Sequence, residues 1–436
     1  MAERNISHLI ETLMGDDTAD LLRRLGRAAE GAGTNAYVVG GVVRDALLGI
    51  PNQDLDVVVE GDGEAFAQSV ADDLGGSLKA HTRFGTAIVV LPGGRKIDVA
   101  SARSEAYERP GALPDVKEGS LEEDLRRRDF TINAMAVRMG RDDFGDLVDL
   151  YGGQTDLDGE VLRALTERSF VDDPTRVLRG IRFSARFGFA FEETTERLLR
   201  DAVADDALST VSGERIMNEI ALILGEERPW PPVERLIEWG VLAAIDDGWT
   251  PGKSVRVTFE RLEEGRGAGP GAGLADDDAW WRVLFLATVE SIDTDRRERV
   301  LDRLRAGRAL REMSRGLDRF DEKARPTLES AEPVARSRIH RLLSGVPDEV
   351  LALRLATERG TACGERVSLY VSELRHVQTT VGGDDLAELG LGEGRRVGEL
   401  LQRLLEARLD REVASDEEER ALAARLAKDL DALNKN

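Results

Sequence analysis

Residues 36–59 read AYVVGGVVRDALLGIPNQDLDVVV, and the fold of the first third of the chain is decided there. Ala36–Val39 is a short apolar run that stops at Gly40-Gly41, the pattern of a buried strand entering a tight turn. Val42–Leu48 predicts a short helix, and Leu55–Val59, rich in β-branched residues, predicts a strand. A strand, two glycines and a helix together make a phosphate cradle. Glycine lets the backbone come close, and the helix N-terminus offers N–H groups and the positive end of its dipole. Arg44, one turn into the helix, can add a charge-assisted contact to a triphosphate. Asp54-Leu55-Asp56 then opens a strand, where residues i and i+2 share a face. Two carboxylates on one face repel unless a cation sits between them. Hard oxygen ligands suit Mg²⁺, which also contacts substrate phosphates, and a two-metal site can activate an attacking hydroxyl while stabilising the leaving oxygen. Taken singly, Gly-Gly is a turn and Asp-x-Asp a solvated strand edge; their succession makes Asp54 and Asp56 candidate catalytic and metal-binding residues.

Outward from this stretch, residues 5–30 predict an amphipathic lead-in helix, and Glu64–Leu74 another helix. Ala87–Leu91 and Lys96–Ala100 predict strands joined by Pro92-Gly93-Gly94. On the second strand Asp98 alternates with Ile97 and Val99, so it is a candidate third acid beside Asp54 and Asp56, against the alternative of a surface aspartate on an edge strand. Arg103–Ser120, interrupted by Pro110, Gly111, Pro114 and Gly119, predicts a loop. Thr131–Arg138 and Leu147–Leu150 complete a mixed α/β region of the first 150 residues. After residue 152 helical periodicity dominates: Arg176–Ala190, Ser212–Leu224 and Val233–Ala244 predict helices, Gly265–Gly273 a break, and helices resume from Trp280.

Bulk properties narrow the class. A net charge of −23 argues mildly against a nucleic-acid partner, because phosphate contacts need cations. The segment holding Arg176, Arg179, Arg182, Arg186, Arg197 and Arg200 nevertheless concentrates positive charge, which is enough for a local RNA-binding face. One cysteine, Cys363, excludes an internal disulfide and a cysteine-based zinc site. No apolar run approaches the roughly 18 residues of a membrane span. The polar, acidic N-terminus does not read as a signal peptide. A cytoplasmic protein with no membrane partner is expected.

Two further constellations carry chemistry. In Asp124-Leu-Arg-Arg-Arg128-Asp129-Phe-Thr-Ile-Asn133, Arg128 can reach a nucleotide phosphate or sugar, Asp129 can fix Arg128 or a nearby loop, and Asn133 can bond locally. Asp173-Pro174-Thr175-Arg176 is a helix start, so Asp173 is readable as an N-cap. Asp173 and Arg176 also share one helical face with Arg179 and Arg182. Phe183, Phe187, Phe189 and Phe191 read as core, Ser212-Gly213-Glu214 as a helix start, and His81 as structural.

The stretches VVGGVVRDALLGIPNQDLDVVV, HTRFGTAIVVLPGGRKIDVASAR, DLRRRDFTINAMAV, DLVDLYGGQTDL, DDPTRVLRGIRFSARFGF and SGERIMNEIALIL resemble, in order and spacing, the class II tRNA nucleotidyltransferases, the CCA-adding enzymes and their relatives. The likeness covers residues 37 to about 225; from Gly383 onward it is less specific, and residues 245–375 match little. It implies an α+β fold: a polymerase-β-like nucleotidyltransferase head (1–150), then a helical neck that recognises the base (151–225), a helical body (226–330) and a helical tail that binds tRNA (331–436). It implies attack by the tRNA 3′-hydroxyl on the α-phosphate of CTP or ATP, without a template, with Mg²⁺ as cofactor and pyrophosphate as product. It assigns Asp173, Arg176, Arg179 and Arg182 to the nucleotide, beside Gly40, Gly41, Arg44 and Arg128, which the residues themselves make candidate nucleotide-binding positions. Cytosine and adenine both offer an exocyclic amine beside a ring-nitrogen acceptor, so an Asp173/Arg176 pair can accept them, while a carbonyl in place of the amine would repel the carboxylate. Where the family usually has Glu-Asp-x-x-Arg, this chain has Asp172-Asp173, which shortens the first acid by a methylene.

Four activities share this framework. Full CCA addition is expected first, A addition second and CC addition third, since the 103–120 segment is not visibly shortened. The basic signature of bacterial poly(A) polymerases is not evident in KAHTRFGTAIV. A non-catalytic RNA binder on the same head would be expected to have lost one of the acids or the glycine turn, and all are intact.

Overall fold

The computed structural model describes residues 4–81, 85–266, 273–276, 278–389 and 394–433, and among these the side chains at 80, 81 and 430–433 are left aside. The chain packs as two compact units, Met1–Ile223 with Glu238–Ile245, and Leu224–Ile237 with Asp246–Asn436.

The first unit opens on two helices rather than the single one expected, α1 (Ser7–Met14) and α2 (Asp16–Gly31), because Gly15 between them adopts φ +85°. Strand β1 (Ala36–Val39) leads into α3 (Gly41–Leu47), β2 is Asp56–Val59, and α4 is Gly63–Leu74. Strands β3 (Ser77–His81), β4 (Thr86–Val90) and β5 (Lys96–Ser101) follow. The 103–120 segment is not a plain loop. Its ends pair as an antiparallel hairpin, β6 (Arg103–Ala106) with β7 (Asp115–Glu118), leaving residues 107–114, with two of the prolines, as the connection. Proline lacks the donor a ladder needs, so the breakers sit in the tip while the flanks pair. Helix α5 (Leu121–Arg126) starts from a capping box of Ser120 and Glu123 that the sequence reading passed over. Strands β8 (Met135–Arg138) and β9 (Leu147–Asp149) complete a seven-stranded sheet of order β3-β4-β5-β2-β1-β8-β9. Among the described residues β2 and β5 are the one parallel pair within this sheet. β1, central and apolar on both faces, is buried at all four positions.

Helices α6 (Gly153–Asp158), α7 (Ser169–Asp172), α8 (Thr175–Phe187), α9 (Glu193–Ala204) and α10 (Gly213–Leu224) follow. α8 stops where Gly188 turns left-handed at φ +76°, three residues before the expected end at Ala190. The expected helix Val233–Ala244 is two, Trp230–Glu238 and Val241–Ile245, on either side of Gly240 at φ +69°. Phe130, just ahead of β8 and fully buried, lies 6.4 Å from Phe170 of α7 and 6.2 Å from Phe183 of α8 between ring centroids. A Cβ on Gly180 would come within 2.9 Å of the Phe130 ring, so glycine there permits this approach. The connection ahead of β8 that carries Asp129 is thus pinned to the helix that carries Arg176, Arg179 and Arg182.

The second unit's regular elements are all helical among the described residues, from Val255–Arg266 to Asp416–Leu433. A charged knot lies inside it: Arg354, 4% exposed, donates to Glu290 at 2.9 Å and to Asp321 at 3.0 Å. Residues 267–272 of the expected Gly-rich break lie outside the described residues, as do 82–84 of the HTRFGT stretch and the side chain of His81. Among the described residues no helix is long and apolar enough to cross a membrane.

Candidate active site

One cavity of about 780 Å³ in the first unit is lined by Gly40, Gly41, Arg44, Asp54, Asp56, Arg128, Asp173, Arg176, Arg179 and Arg182. These are all the expected site residues except Asp98.

The floor is the glycine turn. Gly40 sits at φ 77°, ψ −130°, a conformation L side chains avoid, and its N–H donates to the carbonyl of Met135 at 3.2 Å. A Cβ there would lie 2.7 Å from Arg128 Nη1, so glycine also makes room for that guanidinium. Arg128 is held by Asp124, through Nη2 at 2.9 Å, and not by Asp129 as one of the sequence readings had it. Asp124, fully buried, also takes Arg127 Nη2 at 2.7 Å. Burial opposes its ionisation, but Arg128 and Arg127 outweigh that and hold Asp124 below the usual carboxylate range.

Arg44 is only 5% exposed. Its Nε donates to Asp45 at 2.8 Å and its Nη1 to Asn133 Oδ1 at 2.6 Å, and it lies 4.7 Å from the Phe187 ring centroid. Burial lowers its proton affinity, against the pull of Asp45. Arg44 is thus held in place by the wall while it lines the cavity. Asp129 is the keystone of the same wall. Its Oδ1 accepts from the Phe130 N–H at 2.8 Å and from Asn133 Nδ2 at 2.9 Å, and its Oδ2 from Arg179 Nε at 2.8 Å and Nη2 at 2.7 Å. Burial pushes this carboxyl up, but Arg179, Asn133 and Arg176 bring it down to about 2.

Two acids, Asp54 and Asp56, line the same cavity. Asp54 and Asp56 are exposed and Leu55 between them is buried, so they share one side of the chain, although β2 begins only at Asp56. Asp98 is paired with Asp56 in register across β2 and β5 and is exposed between buried Ile97 and Val99, the alternation expected of it. It does not line the cavity. Burial, Asp98 and Asp54 push Asp56 up, with Arg128 opposing; burial and Asp54 push Asp98 up. Among the described residues no three acidic, histidine or cysteine side chains converge as a ready-made ligand cluster. The donor chemistry nonetheless fits a hard divalent cation. These carboxylates raise one another's proton affinity, and a cation among them would reverse that sign.

A further wall of the cavity is α8, with Asp173 just before it. Asp173 caps it: Oδ1 accepts from the Thr175 N–H at 3.1 Å and hydroxyl at 2.6 Å, and also from Arg215 Nη2 at 2.8 Å. The capping reading of Asp173 is therefore correct as far as its bonds go, and Arg215 of α10 is a partner the sequence did not offer. Arg176 donates through Nη1 to Ser169 Oγ at 2.8 Å and through Nη2 to the Arg127 carbonyl. Glu219 of α10 pairs with Arg179 and Arg182, each at 3.4 Å. Asp172 turns away to Arg168 at 2.8 Å. Phe183 and Phe189 are core as expected, while Phe187 and Phe191 are half-buried.

Sequence reasoning also missed Glu105 and Tyr107, which line the cavity from the 103–118 hairpin. Tyr107 donates to Glu105 Oε2 at 2.9 Å, and Glu105 Oε1 accepts from Arg103 Nη2 at 3.1 Å and Arg127 Nη1 at 2.9 Å. Proline and glycine in the tip of this segment mask the pairing of its flanks, so nothing local marks the two residues.

A glycine-turn floor, two acids at the start of β2 and an arginine-rich helix lining the same cavity are the parts of a nucleotidyltransferase head, and the family described as "Poly A polymerase head domain" matches residues 36–163. Residues 188–246 match "Probable RNA and SrmB- binding site of polymerase A". The A-adding tRNA nucleotidyltransferase of Halalkalibacterium halodurans is 35% identical over 89% of this chain and 87% of its own length. That of Geobacter sulfurreducens is 39% identical over 97% of this chain but 49% of its own, so the chain spans about half of that relative. A solved CCA-adding enzyme, apo form II, aligns with a TM-score of 0.82 and 34% identity over 97% of this chain and 98% of its own. The Thermotoga maritima CCA-adding enzyme complexed with tRNA aligns at 0.79 and 33% over 99% of this chain and 100% of its own. The chain belongs to the tRNA nucleotidyltransferase family.

Proposed function

We propose that this protein extends the 3′ end of tRNA without a template, transferring AMP from ATP as the first reading and, in the second, CMP from CTP as well. The observation that carries the reading is the one cavity lined by a glycine turn, the two aspartates at the start of β2, and both Asp173 and Arg176. In this reading the turn and Arg128 hold the triphosphate, Arg179 and Arg182 complete the nucleotide wall, and Asp173 with Arg176 address the base edge. Asp54 and Asp56, with Asp98 beside them, would hold Mg²⁺. When bound, the ion supplies charge neutralisation on the phosphates and a lower pKa for the attacking hydroxyl. The protein's own part is to fix geometry: Asp124 sets Arg128, and Asp129 sets Arg179 and, through Asn133, Arg44. Residues 331–436 keep the role of tRNA-binding tail, and the setting is the cytoplasm.

Terminal A addition takes precedence over the full CCA sequence expected first. Three curated relatives matched over 85–97% of this chain are A-adding enzymes. Full CCA addition stays as the second reading, on the likeness to CCA-adding structures over nearly the whole chain. The test uses tRNA transcripts ending before the first C, after one C and after CC, each with CTP, ATP or both. An A-adding enzyme extends only the CC-ending transcript, by one nucleotide and with ATP alone. A CCA-adding enzyme completes all three. No extension of any transcript overturns both.

A further inference from the structure

Among the described residues two aromatic rings line the cavity, Phe183 and Tyr107. Phe183 is 5% exposed, and three guanidiniums crowd its ring: Arg182 at 4.8 Å and Arg44 and Arg179 at 5.3 Å from the centroid. Its π surface is spoken for. Tyr107 is half-buried, and its one polar tip is tied down by Glu105, itself clamped by Arg103 and Arg127. What Tyr107 leaves toward the cavity is the body of its ring. The same Arg127 accepts Arg176 Nη2 on its carbonyl, so the clamp on Tyr107 and the pinning of Arg176 share one residue.

We propose that the Tyr107 ring is the stacking platform for the base of the incoming nucleotide. The inference rests on the reading that Asp173 and Arg176 address the base edge. Edge contacts discriminate only when the plane of the heterocycle is fixed. Stacking fixes the plane without choosing among bases, because every base has a π face. The two tasks are then divided: Tyr107 holds any base flat, and Asp173 with Arg176 accept or reject its edge. The hydroxyl–Glu105 bond sets the ring's orientation, which explains a tyrosine where a phenylalanine would supply the same surface.

The test is equilibrium binding to the full chain with Mg²⁺, using ATP, CTP and inorganic tripolyphosphate as probes. Tyr107→Ala and Tyr107→Leu should weaken ATP and CTP by comparable factors, roughly 5- to 150-fold, the range for loss of one base–aromatic stack. Both should leave tripolyphosphate unchanged within about twofold, since it has no base. Tyr107→Phe, which keeps the ring but loses the bond to Glu105, should weaken ATP and CTP less than Tyr107→Leu does, and the fluorescence of Tyr107→Trp should be quenched on adding ATP but not tripolyphosphate. The proposal is overturned if Tyr107→Leu binds ATP as the parent does, or if it loses ATP and tripolyphosphate equally. The outcome is independent of transcript extension, so a failed stack and a failed enzymatic reading show up in different assays.

Discussion

Asp129→Asn tests whether the nucleotide wall is held by one buried charge. The substitution keeps the shape and the acceptor for the Phe130 N–H but removes the charge that Arg179 clasps with two donors. Breaking a buried pair costs about 3–5 kcal/mol, but the Arg179 side chain is 33% exposed, so water recovers part of that and about 2 kcal/mol is the expected loss. Titration gives the same scale. The carboxyl is depressed from 3.8 to about 2, and one pKa unit is about 1.4 kcal/mol. The sign is that of a depressed acid: the stabilisation is fully present above the unfolded value of 3.8 and is lost as pH falls through about 2. The assay is urea unfolding between pH 5 and pH 2, read by hydrogen exchange of peptides covering residues 124–138 and 175–187. Parent and Asp129→Asn should differ by about 2 kcal/mol at pH 5 and converge toward pH 2. A difference that does not shrink with falling pH would refute the charge argument, and no difference at pH 5 would refute the keystone role.

Gly40→Ala forces an L side chain into φ 77°, ψ −130° against Arg128, and should cost about 1–3 kcal/mol in urea unfolding while raising the nucleotide KM. Arg176→Ala should admit UTP and GTP while tripolyphosphate binding changes by less than about threefold; continued exclusion of both nucleotides would remove the base-edge role. Asp56→Ala should lower transcript extension at least roughly a thousandfold, the several kcal/mol a bound cation supplies. Asp98→Ala, outside the cavity lining, should retain measurable extension with a higher Mg²⁺ requirement. Equal losses for the two variants would make Asp98 a direct ligand.

The sequence by itself determined what depends on short range. The strand–glycine–helix succession at 36–47, the common side of Asp54 and Asp56, and the alternation of Asp98 with Ile97 and Val99 follow from backbone sterics and a period of two, which any neighbourhood preserves. Helix ends were legible only where a turn residue marked them, and Gly15 and Gly240 divided helices whose apolar periodicity runs on across them. Tertiary structure decided the partners. Asn133 meets Arg44 across 89 residues, Asp129 meets Arg179 across 50, and Asp173 meets Arg215 across 42. A charged residue carries no sign of which opposite charge it will find, because that depends on which faces the buried rings Phe130, Phe170 and Phe183 bring together. The same holds for the 103–118 hairpin: its flanks have weak strand propensity, and only cross-strand pairing, a non-local term, turned a proline- and glycine-marked loop into the arm that carries Tyr107 to the cavity.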